Sequence, residues 1–263
     1  MKLKNLRSIS KSAGLALALV FGVSITSVAA MFGFGGDRWS EEVLLHDGRK
    51  MIVERSQSYG GRGEVGQPAP IKEHSISFAL PGSRKPFKWT SEYSDDIGRT
   101  NFNLLAVHVK EETPYLVASP NLCLSYNKWG RPNPPYVFFK HDGSAWQRIS
   151  LEQFPSEFKT INVAQTLNSF DIAQMIKRSP VSASEILERN RRLRQPEYRS
   201  ILREALPSAG GDGCSVMIPN GKGGWLGIDW FRDQPNSDAC LKVCTQKGLG
   251  PEFCPCKNLF EKK

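Results

Sequence analysis

Asn103-Leu-Leu-Ala-Val-His-Val109, followed across Glu111-Glu112-Thr113-Pro114 by Tyr115-Leu-Val-Ala118, is the stretch from which the fold is read. Two short apolar runs rich in β-branched and aromatic residues, parted by a polar break, predict neighbouring antiparallel strands. Upstream, Ser75-Ile-Ser-Phe-Ala-Leu80 alternates, stops at Pro81-Gly82 and resumes at Phe87-Lys-Trp89. Further upstream, Val43 to Glu54 reads as a hairpin around Asp47-Gly48, a pair suited to the positive φ angles of a two-residue turn. Downstream, Tyr136–His141 and Trp146–Ile149 flank Asp142-Gly143 in the same way. Residues 31–155 are therefore expected to form an antiparallel β domain, a meander or sandwich.

The pattern then changes. Residues 156–207 read as a helical segment. A helix is expected from Phe170 to Lys177, and Ser182-Ala-Ser-Glu185 is a capping box with Val181 and Ile186 placed as its hydrophobic staple. A further helix is expected from Pro196, with Tyr198, Ile201, Leu202, Ala205 and Leu206 on one face. Arg189, Arg191, Arg192 and Arg194 make the densest basic patch after the leader. Nearby glutamates dilute it to a solvated face, with docking on an acidic partner or membrane surface as the alternative. Residues 208–263 read as a hairpin, Cys214–Ile218 against Trp225–Phe231, and a cysteine-rich tail. The fold class is thus α+β, a β-rich N-terminal body followed by helices and a small disulfide-stapled tail.

Residues 1–30 carry Lys2, Lys4, Arg7 and Lys11, no acid, and an uncharged run from Ser12 that continues to Gly36. This reads as a signal peptide cut near Ala29 or Ala30, or else as an uncleaved anchor; both place the rest of the chain outside the cytoplasm. The expected location is periplasmic or secreted, with an inner-membrane anchor and an external domain as the alternative. Of the formal net charge of +9, four positives belong to the leader, leaving a mildly basic remainder. That is not the concentrated stripe of a nucleic-acid binder.

All six cysteines lie beyond the leader: Cys123, Cys214, Cys240, Cys244, Cys254 and Cys256. An even number in an exported chain argues for disulfides. Residues 236–248 read as a short helix capped by Asn236 or Ser237 and ended by Gly248, placing Cys240 and Cys244 one turn apart. The segment Pro251–Cys256 can lie across that face and be stapled twice, leaving Cys123 to pair with Cys214. The alternative is a metal site of Cys240, Cys244, Cys254 and Cys256.

Gly61-Arg-Gly-Glu-Val-Gly66 matches a dinucleotide-binding pattern but is followed by Gln-Pro-Ala-Pro, so it lacks the helix that would hold a pyrophosphate. No cofactor is expected. His46, His74, His108 and His141 are scattered through the β part; His108 and His141 are the candidate catalytic residues if the chain is a hydrolase acting on envelope material. Six tryptophans are read mainly as packing residues. Residues 127–135 offer a candidate recognition loop through Lys128, Trp129 and Arg131, on a backbone stiffened by three prolines. The expected function is a non-catalytic binding protein of the bacterial envelope. Its expected partner is an envelope protein or polymer, with no nucleic acid, and with membrane contact only through an uncleaved leader.

Overall fold

The computed structural model describes residues 36–63, 66–83, 85–165, 169–207 and 213–261; the leader lies outside them. Strands β1 (Gly36–Leu44), β2 (Lys50–Tyr59), β3 (Ile71–Phe78) and β4 (Phe87–Thr90) pair in chain order as one antiparallel meander. The short ladder β5 (Tyr93–Ser94) with β6 (Arg99–Thr100) leads into a second meander. It consists of β7 (Phe102–Lys110), β8 (Thr113–Pro120), β9 (Val137–His141) and β10 (Trp146–Ile149), with α1 (Leu122–Lys128) inserted before β9. Val43, Val53, Ile76, Phe78 and Trp89 of the first sheet pack with Phe102, Leu104, Val107, Leu116 and Val137 of the second in one core. The β-rich body expected from the sequence is present as two facing sheets.

Burial accounts for the two kinds of sequence pattern. Along β2 every second residue (Val53, Arg55, Gln57) is buried, because one face of the first sheet is covered. Strands β7 and β8 are buried almost throughout. Their other face, carrying Leu105, Tyr115 and Val117, is covered by Phe154, Phe158, Ile161 and Ile201. Two buried faces remove the alternation, as in any strand enclosed between layers. Asn162 locks this arrangement. Its Oδ1 accepts the Val107 N–H at 2.9 Å, and its Nδ2 donates to the carbonyls of Val107 at 2.8 Å and Leu44 at 3.0 Å.

The turns differ from expectation in an instructive way. Leu45 N–H donates to Arg49 O at 2.8 Å, so His46-Asp47-Gly48 is a three-residue loop with Gly48 at φ 86°. Glycine supplies the left-handed position of that longer loop, not half of a two-residue turn. Asp142-Gly143 sits among the four residues between the paired His141 and Trp146, where Asp142 N–H donates to Ala145 O at 3.0 Å. The two-residue turn is Glu111-Glu112, between the paired residues Lys110 and Thr113, with φ of 48° and 61°.

Helices α2 (Ser169–Lys177) and α3 (Ala183–Arg191) form where the sequence places them. Ser182 Oγ accepts the Glu185 N–H at 3.3 Å, and Val181 and Ile186 share a buried cluster. The helix expected from Pro196 is not formed: only the 3-10 turn Pro196–Tyr198 is. Tertiary partners take the groups that a helix would have used. The Tyr136 hydroxyl lies within hydrogen-bond reach of the Glu197 and Ser200 carbonyls and the Leu202 N–H, and Ile201 N–H donates to Lys159 O. Residues 156–165 are also turns and bridges, not helix.

The tail holds β11 (Met217–Pro219), β12 (Trp225–Gly227), α4 (Asp229–Arg232), α5 (Ser237–Gln246) and α6 (Cys256–Phe260). Its hairpin is shorter than expected, because Asp229-Trp230-Phe231 turns into α4. Asn236 caps α5 through Oδ1 to Ala239 N–H at 2.9 Å, and Gly248 ends it at φ 65°. Disulfides join Cys240 to Cys256, Cys244 to Cys254, and Cys123 to Cys214. Body, helices and tail belong to one compact unit, residues 34–263. No helix among the described residues is long and apolar enough to cross a membrane.

Candidate functional site

The chain between α2 and α3 is fixed to the edge of the first sheet. Glu42 N–H donates to Val181 O at 2.8 Å, and Val181 N–H donates to Ser40 O at 2.9 Å, a parallel bridge beside β1. The cis bond before Pro180 is part of this approach. The two helices thereby close on Trp39, and Ile172, Met175, Val181 and Ile186 are buried against it. A groove of about 590 Å³ remains between the helices, with Met175, Val181, Ile186 and Leu193 among its apolar lining.

Ion pairs form the rim of that groove. Arg178 meets Glu185 at 2.6 Å, Arg189 meets Asp171 at 2.7 Å, and Arg192 pairs with Glu188 one turn before it. Exposed pairs of this kind contribute little stability. Their value lies in holding long cationic side chains over an apolar floor. The rim itself is balanced, Arg178, Arg189 and Arg192 against Glu185, Asp171 and Glu188; the segment that carries most of it, residues 178–199, holds six arginines against three glutamates and is net positive.

A buried polar row runs along the inward face of β1, β2 and β3. Glu41 is fully buried; its carboxylate accepts Trp39 Nε1–H at 2.6 Å, Arg55 Nη1–H at 3.2 Å and the Ala164 N–H at 3.0 Å. Arg55 also lies over the Trp39 ring at 5.3 Å. Next to it on the inward face are Gln57 and its cross-strand partner His74. Arg55 Nε, Gln57 Oε1 and both His74 ring nitrogens have no hydrogen-bond partner among the described residues. Burial, with the Arg55 charge second, pushes the His74 imidazole down to about 3. A neutral ring there is forced by its surroundings. At the outer end Tyr59 bridges Gln57 and Asp37, and burial first and Asp37 second push its hydroxyl up to about 12.

The residues singled out from sequence are dispersed. His108 is fully buried, stacks on Phe158 at 4.6 Å and bonds the Thr160 carbonyl through Nε2; its Nδ1 has no partner among the described residues. Burial holds its imidazole down at about 4. His141 sits edge-on to Phe87 and Trp146 and accepts the Gly143 N–H at 3.1 Å. Lys128 pairs with Asp96 at 3.1 Å, and Trp129 packs on Phe102 at 4.5 Å. Arg131 donates to Cys214 O at 3.0 Å, and Asn127 Oδ1 accepts the Met217 N–H at 2.9 Å. The candidate recognition loop thus ties the tail to the body beside the Cys123–Cys214 bridge. Five tryptophans are packed, and Trp230 alone is exposed, at 58%. Sequence reasoning reached the α3 arginines but missed the buried Glu41–Arg55 pair. Its signal was there, since both charges fall in phase with inward Trp39, Val43 and Val53.

No protein-family model, curated protein or solved structure matches this chain.

Proposed function

We propose that this chain is an exported binding protein of the bacterial envelope, and that its partner is a protein that lays an acidic segment along the α2–α3 groove. Three disulfides that use every cysteine support an oxidising compartment, and the leader-like residues 1–30 supply a route to it. The observation that carries the docking reading is the groove itself: an apolar floor edged by Arg178, Arg189 and Arg192, in a segment, residues 178–199, with six arginines against three glutamates. The basic excess of the segment around the groove steers acidic partners and fixes their register, while the apolar floor contributes the affinity.

The test is site-specific photo-crosslinking in intact cells. A photoreactive residue at Gln174, in the groove, is expected to give one discrete protein adduct in the envelope fraction. A probe at Ile52, exposed on β2, is expected to give none. Arg178→Glu with Arg192→Glu should abolish the adduct. Equal adducts at both positions, an adduct indifferent to the charge reversals, or a protease-resistant polymer adduct would sink the reading.

A further inference from the structure

The four tail sulfurs form a single cluster. The Sγ atoms of Cys240, Cys244 and Cys256 all lie within 4.8 Å of one another. Cys256 Sγ, bonded to Cys240, is also 3.5 Å from Cys244 Sγ and 3.4 Å from Cys254 Sγ. We propose that, once both bridges are reduced, Cys240, Cys244, Cys254 and Cys256 become a tetrathiolate site for one zinc-class cation. The proposal concerns the tail alone and does not depend on the docking reading.

A tetrahedral zinc–thiolate centre has bonds of about 2.3 Å, which sets its sulfurs about 3.8 Å apart. The two non-bonded approaches around Cys256 are already near that separation. The two covalent pairs must open, each by about 2 Å. The scaffold suits this. Cys240 and Cys244 project from one face of α5, a turn apart, while Cys254 and Cys256 flank Pro255 at the start of α6. Three of the sulfur-bearing residues are buried, at 0%, 4% and 0% exposure for Cys240, Cys244 and Cys256, so water would compete poorly for the ion.

There is also a physical need for a staple in either redox state. The buried cluster of the tail consists of Phe231 and these three cysteines, with partly buried side chains around it. A core so small depends on a covalent or metal crosslink. A structural zinc ion supplies folding free energy directly. The chemistry balances. A phosphine reductant takes one oxygen from water for each bridge and leaves two thiols. Four thiols then release four protons as they bind one divalent ion.

The experiment uses the full-length chain, reduced with a water-soluble phosphine, desalted without oxygen and titrated with cobalt(II). Saturation is expected at one ion per chain, with the visible bands of a tetrahedral tetrathiolate, and zinc should displace the cobalt. Helical circular dichroism lost on reduction should return with the metal. Cys123→Ser with Cys214→Ser should bind as the parent does, whereas Cys254→Ser should bind at least tenfold more weakly. Cys254→His should restore stoichiometric binding with the shifted bands of a three-sulfur, one-nitrogen centre. The absence of saturation at one equivalent, or binding that survives both Cys240→Ser and Cys254→Ser unchanged, would overturn the proposal.

Discussion

Between its two sheets the body buries fifteen hydrophobic residues in one cluster, whereas three of the four buried residues in the tail cluster are cysteines. The body also buries charge and hydrogen-bonding side chains, Glu41, Arg55, His74, His108 and Asn162, while all four histidines of the chain lie outside the tail. The two regions therefore have different weaknesses. The body should respond to anything that changes charge in its interior, and the tail to anything that breaks sulfur–sulfur bonds. An experiment that attacks one region and reads both can break the contrast, through a response in the wrong place.

Reduction is expected to give the largest effect. The tail bridges close loops with sequence separations of 16 and 10. Each should contribute about 3 kcal/mol, or about 6 kcal/mol for the pair. In metal-free buffer, reductant should abolish hydrogen-exchange protection of α5 and α6 and leave β7 and β8 protected. Joint loss of protection would show that the body leans on the tail more than its core suggests.

Glu41→Gln comes next. It keeps the shape but leaves Arg55 buried without its anion, and removing one member of a buried pair costs about 4 kcal/mol. Denaturant unfolding should show the body destabilised by that order, with protection of α5 unchanged. Arg55→Met in the same background should recover much of the loss, because replacing both partners removes the stranded charge.

Acid should act third, and on the same region. In the unfolded chain His74 and His108 bind protons near 6.5, but in the folded chain only near 3 and 4. Between those limits the unfolded state holds more protons, so stability falls as pH falls. The contribution is intact above about pH 7 and begins to be lost below 6.5; for the two rings together the loss is about 3 kcal/mol by pH 5.5. His108→Gln should halve the slope of stability against pH. A pH-independent body would contradict the burial assigned to these rings.

How legible these regions were in the sequence has the same physical basis. Local signals survived: the alternating run that starts at Ser75 in β3, the Ser182–Glu185 box with its staple, and the Asn236 cap. The Cys123–Cys214 pairing was preferred because the tail spacing used up the other four. Local readings stop short wherever a distant group intervenes. Helical spacing after Pro196 lost to the Tyr136 hydroxyl and the Lys159 carbonyl, neither of them near in sequence. Lys128 and Arg131, read as parts of a candidate recognition loop, have partners that local sequence does not announce, Asp96 and the Cys214 carbonyl. Asn162 carries no sequence signal, since its role exists only once β1 and β7 are in place.

The smallest effect should come from the Glu111-Glu112 turn, and it separates packing from backbone preference. Both residues adopt positive φ, a region costing an L-residue roughly 1–2 kcal/mol, in a two-residue turn that favours Asn-Gly. The flanking strands hold it there, since Lys110 and Thr113 are in register and β7 and β8 are enclosed on both faces. Glu111→Asn with Glu112→Gly should therefore stabilise the body by about 1 kcal/mol, after glycine's added freedom in the unfolded chain offsets part of the relief. The melting temperature of the body should rise by a few degrees while the tail's reduction midpoint stays fixed. If the substitution lowers stability instead, the glutamates are making contacts that outweigh their backbone strain, and the rim that Glu111 shares with Lys110 and Lys140 becomes the place to look for them.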